Sequence, residues 1–261
     1  MNNPVIDTLM NRKSIRSFTD RIPSDEDIEL IVRAGQQAPF AYQMGSLLLS
    51  RDRERIPYRA PLYFIPCIDS HRHEKIMERR GWKLVQNDLL LLLFGIQDAT
   101  LMVENMIIAA ESLGMGSCLI GSVPYYADKI ADRFNLPPRV FPLVGLSLGF
   151  PDEDPPPRPR YPLEITLYEG KYPEFNEEDI VRAMKIMDDG YLAQDYYRRL
   201  GAMIRLEDGR SETYSYDTYS WTEHISRKTG QWEPLPDDLL DQFTARGFSI
   251  PGYTPGEENQ G

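Results

Sequence analysis

Two spacings of apolar residues alternate along this chain, one typical of amphipathic helices and one typical of short buried strands. Helical spacing predicts a first helix after Asn3, the expected N-cap, and a second one after Ser24, which forms a capping-box-like pattern with Asp27. Helical spacing also continues through residues 87–113 and predicts a long helix there. Because apolar residues lie on most sides of the first half of this helix, we expect it to be central in the fold. Further helices are predicted at 126–134, 176–187, 191–200, 221–228 and 237–246.

Short apolar runs predict strands between these helices. They are 46–50, 62–65, a run between Gly116 and Gly121, 142–149 and 163–169. Pro61 and Pro66 bound the second run, and the pattern of the first run fits a buried helical turn as well as a strand. Since helices separate the strands, we expect a layered α/β or α+β domain.

Residues 151–162 are so rich in proline that they must be extended. Proline lowers the entropy cost of holding Arg158 and Arg160 in place. From the pattern alone, this segment is either a stiff linker or a rigid arm that delivers two guanidinium groups to an anion. The last residues, 252–261, are expected to be disordered.

The chain has 261 residues and a formal net charge of -11, so no long basic face is available to bind nucleic acid or an anionic membrane. Cys67 and Cys118 are its only cysteines, which excludes a disulfide framework and favours a reducing compartment. Residues 1–10 lack the features of a signal peptide, and the most hydrophobic run, 89–96, is too short to span a bilayer. We therefore expect a cytoplasmic protein.

Although the chain as a whole is acidic, three cations lie in one segment of five residues: Arg12, Lys13 and Arg16. Two interpretations are open. The cations form either a solvated basic cap that complements the dipole of the first helix, or a clamp that binds a phosphate through charge-assisted hydrogen bonds.

Two further segments have candidate chemistry but weaker patterns. His71 and His73 follow Cys67, yet no other ligand falls at a spacing typical of metal sites, so we predict an exposed loop or helix start and no metal. Gly116 and Gly121 allow the backbone to approach something flat or another backbone, but an ordinary helix-to-strand turn is a common structure and is the favoured explanation of the pattern alone.

Several segments resemble the flavin-dependent nitroreductase superfamily, in the branch of the larger oxygen-insensitive NADPH nitroreductases and the NADPH-linked flavin reductases. They are 12–20, 98–100, 109–116, 120–121, 146–151, 158–160 and 221–225. These segments follow the order of the family over nearly the whole chain.

The resemblance implies a homodimeric α+β fold, in which helices flank a central, mostly antiparallel sheet, with an extended arm and a helical C-terminal subdomain. It implies that FMN binds in a cleft between the subunits. On this basis, residues 1–162 would form the FMN-binding core, and 163–251 would be a strand and helical extension that completes the dimer and the cleft. Residues 252–261 would be a tail.

The resemblance also implies which residues bind the cofactor. Arg12, Lys13, Ser14 and Arg16 match the segment that holds the flavin phosphate and ring edge, and Arg158 and Arg160 match basic residues that also reach the phosphate. The backbone at Gly116, Ile120 and Gly121 matches the lining of the isoalloxazine ring, where a main-chain donor would stabilise reduced flavin. Gln43 matches a glutamine near the ring. No general acid, general base or metal is expected.

The chain departs from this branch in three places. The turn before Gln43, residues 38–42, lacks the usual serines and contains Phe40 and Tyr42. The connector 51–60 is shorter, so a glutamine that usually contacts the flavin has no clear counterpart. No basic residue for the NADPH phosphate is securely placed, and the candidates are Arg198, Arg199, Arg227 and Lys228.

The implied reaction is a ping-pong transfer of hydride from NADPH or NADH, through flavin N5, to a small electron-poor acceptor such as a nitroaromatic, a quinone or free flavin. The sequence leaves open a different flavin reaction on the same fold, such as dehalogenation or flavin fragmentation. It also leaves open a flavin carrier or sensor without enzymatic activity.

Overall fold

The computed structural model of this protein describes residues 3–85, 87–207, 209–231 and 236–255. The chain divides into two compact units, one formed by residues 1–155 and 234–261 and the other by 156–233. The functional division predicted at residues 162 and 251 stays a prediction, because compactness does not test it. Of the predicted tail, residues 256–261 lie outside the described residues.

An antiparallel sheet forms the centre of the first unit. Its strands are β1 (Gly45–Ser50), β2 (Leu62–Asp69), β3 (Gly116–Ile120), β4 (Val140–Pro142) and β5 (Gly145–Gly149). They are ordered β1-β2-β5-β3, and β4 pairs with the remaining part of β2. The α+β class and the antiparallel sheet predicted from the sequence are therefore confirmed.

Two predicted strand boundaries are wrong, and Pro66 explains both. β2 continues through Pro66 to Asp69, and the predicted strand 142–149 is divided into β4 and β5. β5 pairs with residues 62–64 and β4 with 67–69, so Pro66 lies where the ladder changes from one partner to the other. Proline has no N–H to donate to a ladder. Pro66 therefore fits at the position of β2 where neither β4 nor β5 is paired.

Helices pack around this sheet and build the second unit. They are α1 (Pro4–Asn11), α2 (Asp25–Gln36), α3 (Ser70–Arg79), α4 (Asp88–Ser112), α5 (Ala127–Phe134), α6 (Glu177–Ala193), α7 (Tyr196–Leu200), α8 (Trp221–Gln231) and α9 (Pro236–Ala245). The predicted caps are confirmed, since Asn3 accepts from two backbone N–H groups and Ser24 forms a capping box with Asp27.

The central position predicted for α4 is confirmed. Val103, Met106 and Ile107 pack in the cluster between α2 and the sheet, and Leu92 packs in another cluster with Phe248. Each such side chain stabilises the fold by roughly 1.5–3 kcal/mol when fully buried. Among the described residues, α4 is the one helix whose length and composition would suffice to cross a membrane, and half of its apolar window is buried inside the protein.

The chain returns to the first unit at its C-terminal end. Arg139 holds this C-terminal segment in place. Its guanidinium forms ion pairs with Glu74 and Asp88, each at 2.6 Å, and donates a hydrogen bond to the Gly247 carbonyl at 2.8 Å. It also lies over the Phe248 ring, 4.5 Å from the centroid. Residues from α3, α4 and the C-terminal segment thus meet at one arginine.

The second unit has a core of three tyrosines and one methionine, formed by Met187, Tyr191, Tyr197 and Tyr219. The helix predicted over 191–200 is wrong in its start, since α6 runs to Ala193 and Asp195 adopts a left-handed conformation, with φ of 48°, before α7 begins. The edge strand predicted at 163–169 is also wrong. Residues 163–165 form a 3-10 turn, and because Leu163 and Leu167 are both more than 70% exposed, the apolar alternation has no buried face.

Candidate functional site

The basic segment 12–16 is attached to the edge of the sheet. Ser14 forms a parallel bridge with Ser117 of β3, and the Ile15 N–H donates to the Ser117 carbonyl at 2.9 Å. α1 ends at Asn11 and Arg12 is its C-cap, so of the three cations only Arg12 lies at the helix end, where the interpretation as a basic cap stays open for it. The sheet fixes the segment, with Arg12, Lys13, Ser14 and Arg16 half-buried beside β3.

The two glycines predicted in the site have different surroundings. A Cβ on Gly116 would lie 2.4 Å from the Ile15 side chain, so this glycine is required by the packing of the basic segment against β3. At Gly121, which follows Ile120 at the end of β3, no described atom lies within 4 Å of a Cβ position. Of the two, Gly121 therefore leaves room for a flat ligand.

Acidic residues at the start of the proline-rich arm contact the basic segment. Glu153 accepts hydrogen bonds from the backbone N–H groups of Arg16 and Ser17. Asp154 forms an ion pair with Lys13, and the Asp154 side chain is 89% exposed. Since exposed ion pairs are weak, a phosphate could displace this carboxylate at little cost.

Glu111, near the end of α4, also faces the basic segment. Burial raises the pKa of Glu111, and the charge of Arg12 and a hydrogen bond from the Lys13 backbone oppose this rise. The buried Oε1 atom has no hydrogen-bond partner among the described residues. Sequence reasoning assigned Glu111 no role, although a carboxylate in an apolar helix is a signal that could have indicated one.

The turn that carries Gln43 is held by a buried carboxylate. Asp98 of α4 is 3% exposed and accepts backbone hydrogen bonds from Ala41 at 2.6 Å, Tyr42 at 3.1 Å and Met44 at 3.0 Å. Gln43 itself adopts a left-handed conformation, with φ of 55°. Asp98 therefore holds the turn that carries Gln43, a role that the sequence did not reveal.

Arg158 and Arg160 belong to the second unit, so their predicted approach to the same phosphate as Arg12 and Arg16 stays a prediction. Arg158 donates to Gln194 Oε1 at 2.8 Å and lies over the Tyr196 ring, 3.8 Å from the centroid. Arg160 is exposed and donates to carbonyls of its own segment at 3.0 Å. Arg158 is thus held in place within its unit, as a rigid arm requires.

Arg227 does not present its guanidinium to a ligand. It is 4% exposed and forms a bidentate ion pair with Glu212 at 2.7 and 2.8 Å and another pair with Glu223 at 2.7 Å. The hydrogen bond from Arg227 lowers the pKa of Glu212 to about 2. We therefore remove Arg227 from the candidates for the NADPH phosphate. Arg198 forms an ion pair with Asp217 on the surface and remains a candidate for binding the NADPH phosphate.

The chemistry of the residues beside β3 fits a phosphate-bearing cofactor. Two guanidinium groups, one ammonium group and one hydroxyl group, from Arg12, Arg16, Lys13 and Ser14, provide donors for a dianion. Within the described residues, no group of three or more His, Cys, Asp or Glu side chains is arranged to hold a metal ion.

Known proteins identify the family of this chain. Residues 49–150 match the family described as the nitroreductase family. An FMN reductase (NADPH) of Bacillus subtilis is 33% identical over 232 residues, which cover 82% of this chain and 89% of the relative. The chain belongs to the nitroreductase family. The resemblance inferred from its sequence is thereby confirmed.

Two further known proteins match most of this chain. An oxygen-insensitive NADPH nitroreductase of Salmonella typhimurium is 29% identical over 239 residues, 86% of this chain and 90% of the relative. The solved structure of B. megaterium NfrA2 has a TM-score of 0.81 and 25% identity, and the match covers 95% of this chain and 99% of that one. The fold therefore agrees with the family over both compact units.

Proposed function

We propose that this nitroreductase-family protein is an FMN-dependent oxidoreductase, which transfers hydride from NADPH or NADH to small electron-poor acceptors such as nitroaromatics, quinones or free flavin. The observation that carries the proposal is the set of cationic and hydroxyl donors fixed at residues 12–16 beside β3. Relatives named as an FMN reductase and an NADPH nitroreductase support it. Because these relatives are reductases by name, a flavin carrier or sensor is not favoured.

When bound, FMN supplies the redox chemistry, and the protein supplies position and electrostatics. Arg12, Lys13 and Arg16 would hold the phosphate and ring edge, with Ser14 as a neutral donor. Arg158 and Arg160 would add two guanidinium groups to the phosphate. Positive charge near the ring would favour the reduced, anionic flavin. No side chain needs to act as a general acid or base.

The proposed active protein is a cytoplasmic homodimer with FMN in a cleft between subunits, with residues 163–251 completing that cleft. The exposed apolar side chains of α1 support a dimer, because Val5, Ile6 and Met10 are 56%, 52% and 74% exposed and no residue of this helix is buried. An amphipathic helix gains stability when its apolar face is covered.

The visible spectrum of the purified protein tests this function. We expect oxidised-flavin bands that bleach without oxygen when NADPH or NADH is added, and the faster donor identifies the coenzyme. An Arg16→Ala variant should lose most of its FMN, whereas Arg33→Ala, on an exposed part of α2, should retain it. A colourless protein that does not bind added FMN would refute the proposal.

A further inference from the structure

The arm that carries Arg158 packs against the end of α6 along three successive residues. Gln194, the C-cap of α6, donates from Nε2 to the Pro157 carbonyl at 2.9 Å. Its Oε1 atom accepts a hydrogen bond from the Arg158 guanidinium at 2.8 Å. A Cβ on Gly190 of α6 would lie 2.6 Å from Cγ of Pro159, so helix and arm are in close contact there. One glutamine thus binds both the backbone of the arm and its arginine.

A second contact to the same guanidinium comes from the residue that begins α7. Asp195 adopts a left-handed conformation, with φ of 48°, and the chain changes direction between Gln194 and Tyr196. The guanidinium carbon of Arg158 lies 3.8 Å from the centroid of the Tyr196 ring. Gln194 therefore contacts the guanidinium at its N–H edge and Tyr196 contacts it at its face. Because the group is planar, these two contacts together fix its orientation.

Fixing this orientation before a ligand arrives favours binding. Arginine has many rotamers, and the entropy of ordering them is lost on binding unless the side chain is already held. Pro157 and Pro159 restrict the backbone on both sides of Arg158, so the side chain is the part that remains to be ordered. Glutamine is neutral, and it orients the guanidinium without neutralising the charge that a phosphate would meet.

We propose that Gln194 is a positioning residue of the FMN phosphate site, which holds the Arg158 guanidinium in the orientation that receives the phosphate. This inference rests on the proposed function, in which Arg158 binds that phosphate. Riboflavin has the same ring system as FMN and lacks the phosphate. Gln194 should therefore contribute to the preference of the protein for FMN over riboflavin.

A Gln194→Leu variant tests the inference, because it removes both hydrogen bonds and keeps a side chain of similar size. We expect the dissociation constant for FMN, measured by quenching of flavin fluorescence, to rise about 3- to 10-fold. The dissociation constant for riboflavin should stay at the wild-type value, since riboflavin has no phosphate for Arg158 to bind. A general loss of structure would weaken the binding of both flavins.

A second substitution at the same position tests the importance of a neutral side chain. Gln194→Glu keeps an acceptor for Arg158 but adds a negative charge beside the guanidinium. It should weaken FMN binding at least as much as Gln194→Leu does, again without an effect on riboflavin.

Two further variants separate positioning from a general structural effect. Gln37→Leu makes the same substitution at the exposed C-cap glutamine of α2, and it should change the affinity for neither flavin. In an Arg158→Ala background, Gln194→Leu should have little additional effect on FMN affinity, because residues that act together are not additive.

A wild-type preference for FMN over riboflavin in both Gln194 variants would overturn the inference while leaving the proposed function intact. An undiminished effect of Gln194→Leu in the Arg158→Ala background would also overturn it. A wild-type protein that binds no FMN would refute the proposed function itself, and the inference with it.

Discussion

Two carboxylates on α4 have opposite surroundings. Asp98 accepts three backbone hydrogen bonds, whereas the buried Oε1 of Glu111 has no partner among the described residues. The backbone donors therefore hold the Asp98 carboxylate in place, whereas burial raises the pKa of Glu111 and disfavours its charged form.

Replacing Asp98 with Asn should destabilise the protein by about 2–3 kcal/mol, because an amide offers one oxygen and no charge to three N–H donors. Urea unfolding measures this loss. Glu104→Gln, at an exposed position of the same helix, should change the free energy of unfolding by less than about 0.5 kcal/mol. Unchanged stability of Asp98→Asn would show that the turn does not depend on the carboxylate.

Replacing Glu111 with Gln should make stability less dependent on pH. The pKa of Glu111 is raised in the fold, so the unfolded chain loses this proton first as pH rises from the ordinary value of 4.5. Wild-type stability therefore declines through the window between the unfolded and folded pKa values.

Because Gln cannot ionise, the melting temperature of Glu111→Gln should exceed that of the wild type increasingly as pH rises through this window. Thermal unfolding between pH 4 and pH 7 measures the difference, with Glu26→Gln, at an exposed position of α2, as the control. A difference that is the same at every pH would contradict this assignment.

At the scale of elements, α4 approaches β2 closely at one glycine. A Cβ on Gly95 would lie 2.3 Å from Cγ2 of Ile68, which is fully buried and β-branched and therefore unable to move away. Gly95→Ala should cost about 1–3 kcal/mol by overpacking, measured by urea unfolding. Gly230→Ala, in α8 with open space around it, should instead be neutral or stabilising. Equal effects of the two substitutions would contradict close packing as the cause.

The elements that the sequence predicts correctly depend on local signals. The capping box of Ser24 and Asp27 lies within four residues, so the start of α2 could be predicted without knowledge of the fold. The boundaries at Pro66 could not, because they depend on which strands pair on each side of β2.

In the candidate site, too, only features that depend on neighbouring residues could be predicted from the sequence. The cations at 12–16 are adjacent in sequence and could be predicted as one cluster. Asp98 contacts backbone atoms more than 50 residues away along the chain. Its role therefore required the structure.

At the scale of the whole molecule, the proposed dimer predicts the behaviour of α1. Wild-type protein should have the mass of a dimer in light scattering, and Ile6→Glu should shift it towards monomer and release FMN, because a charge would be buried at the interface. Ile22→Glu introduces the same charge at an exposed isoleucine outside α1 and should leave the dimer intact. A monomeric wild type that retains FMN would contradict a cleft formed between subunits.

The acidic start of the proline-rich arm gives the chain its own counterion. Asp154 balances Lys13, and Glu153 accepts from the backbone of the basic segment. A phosphate that binds there exchanges places with a carboxylate of the protein, and few dissolved ions are released. Loading of the cofactor should therefore vary less with ionic strength than at a bare cationic surface, where screening acts on the full charge.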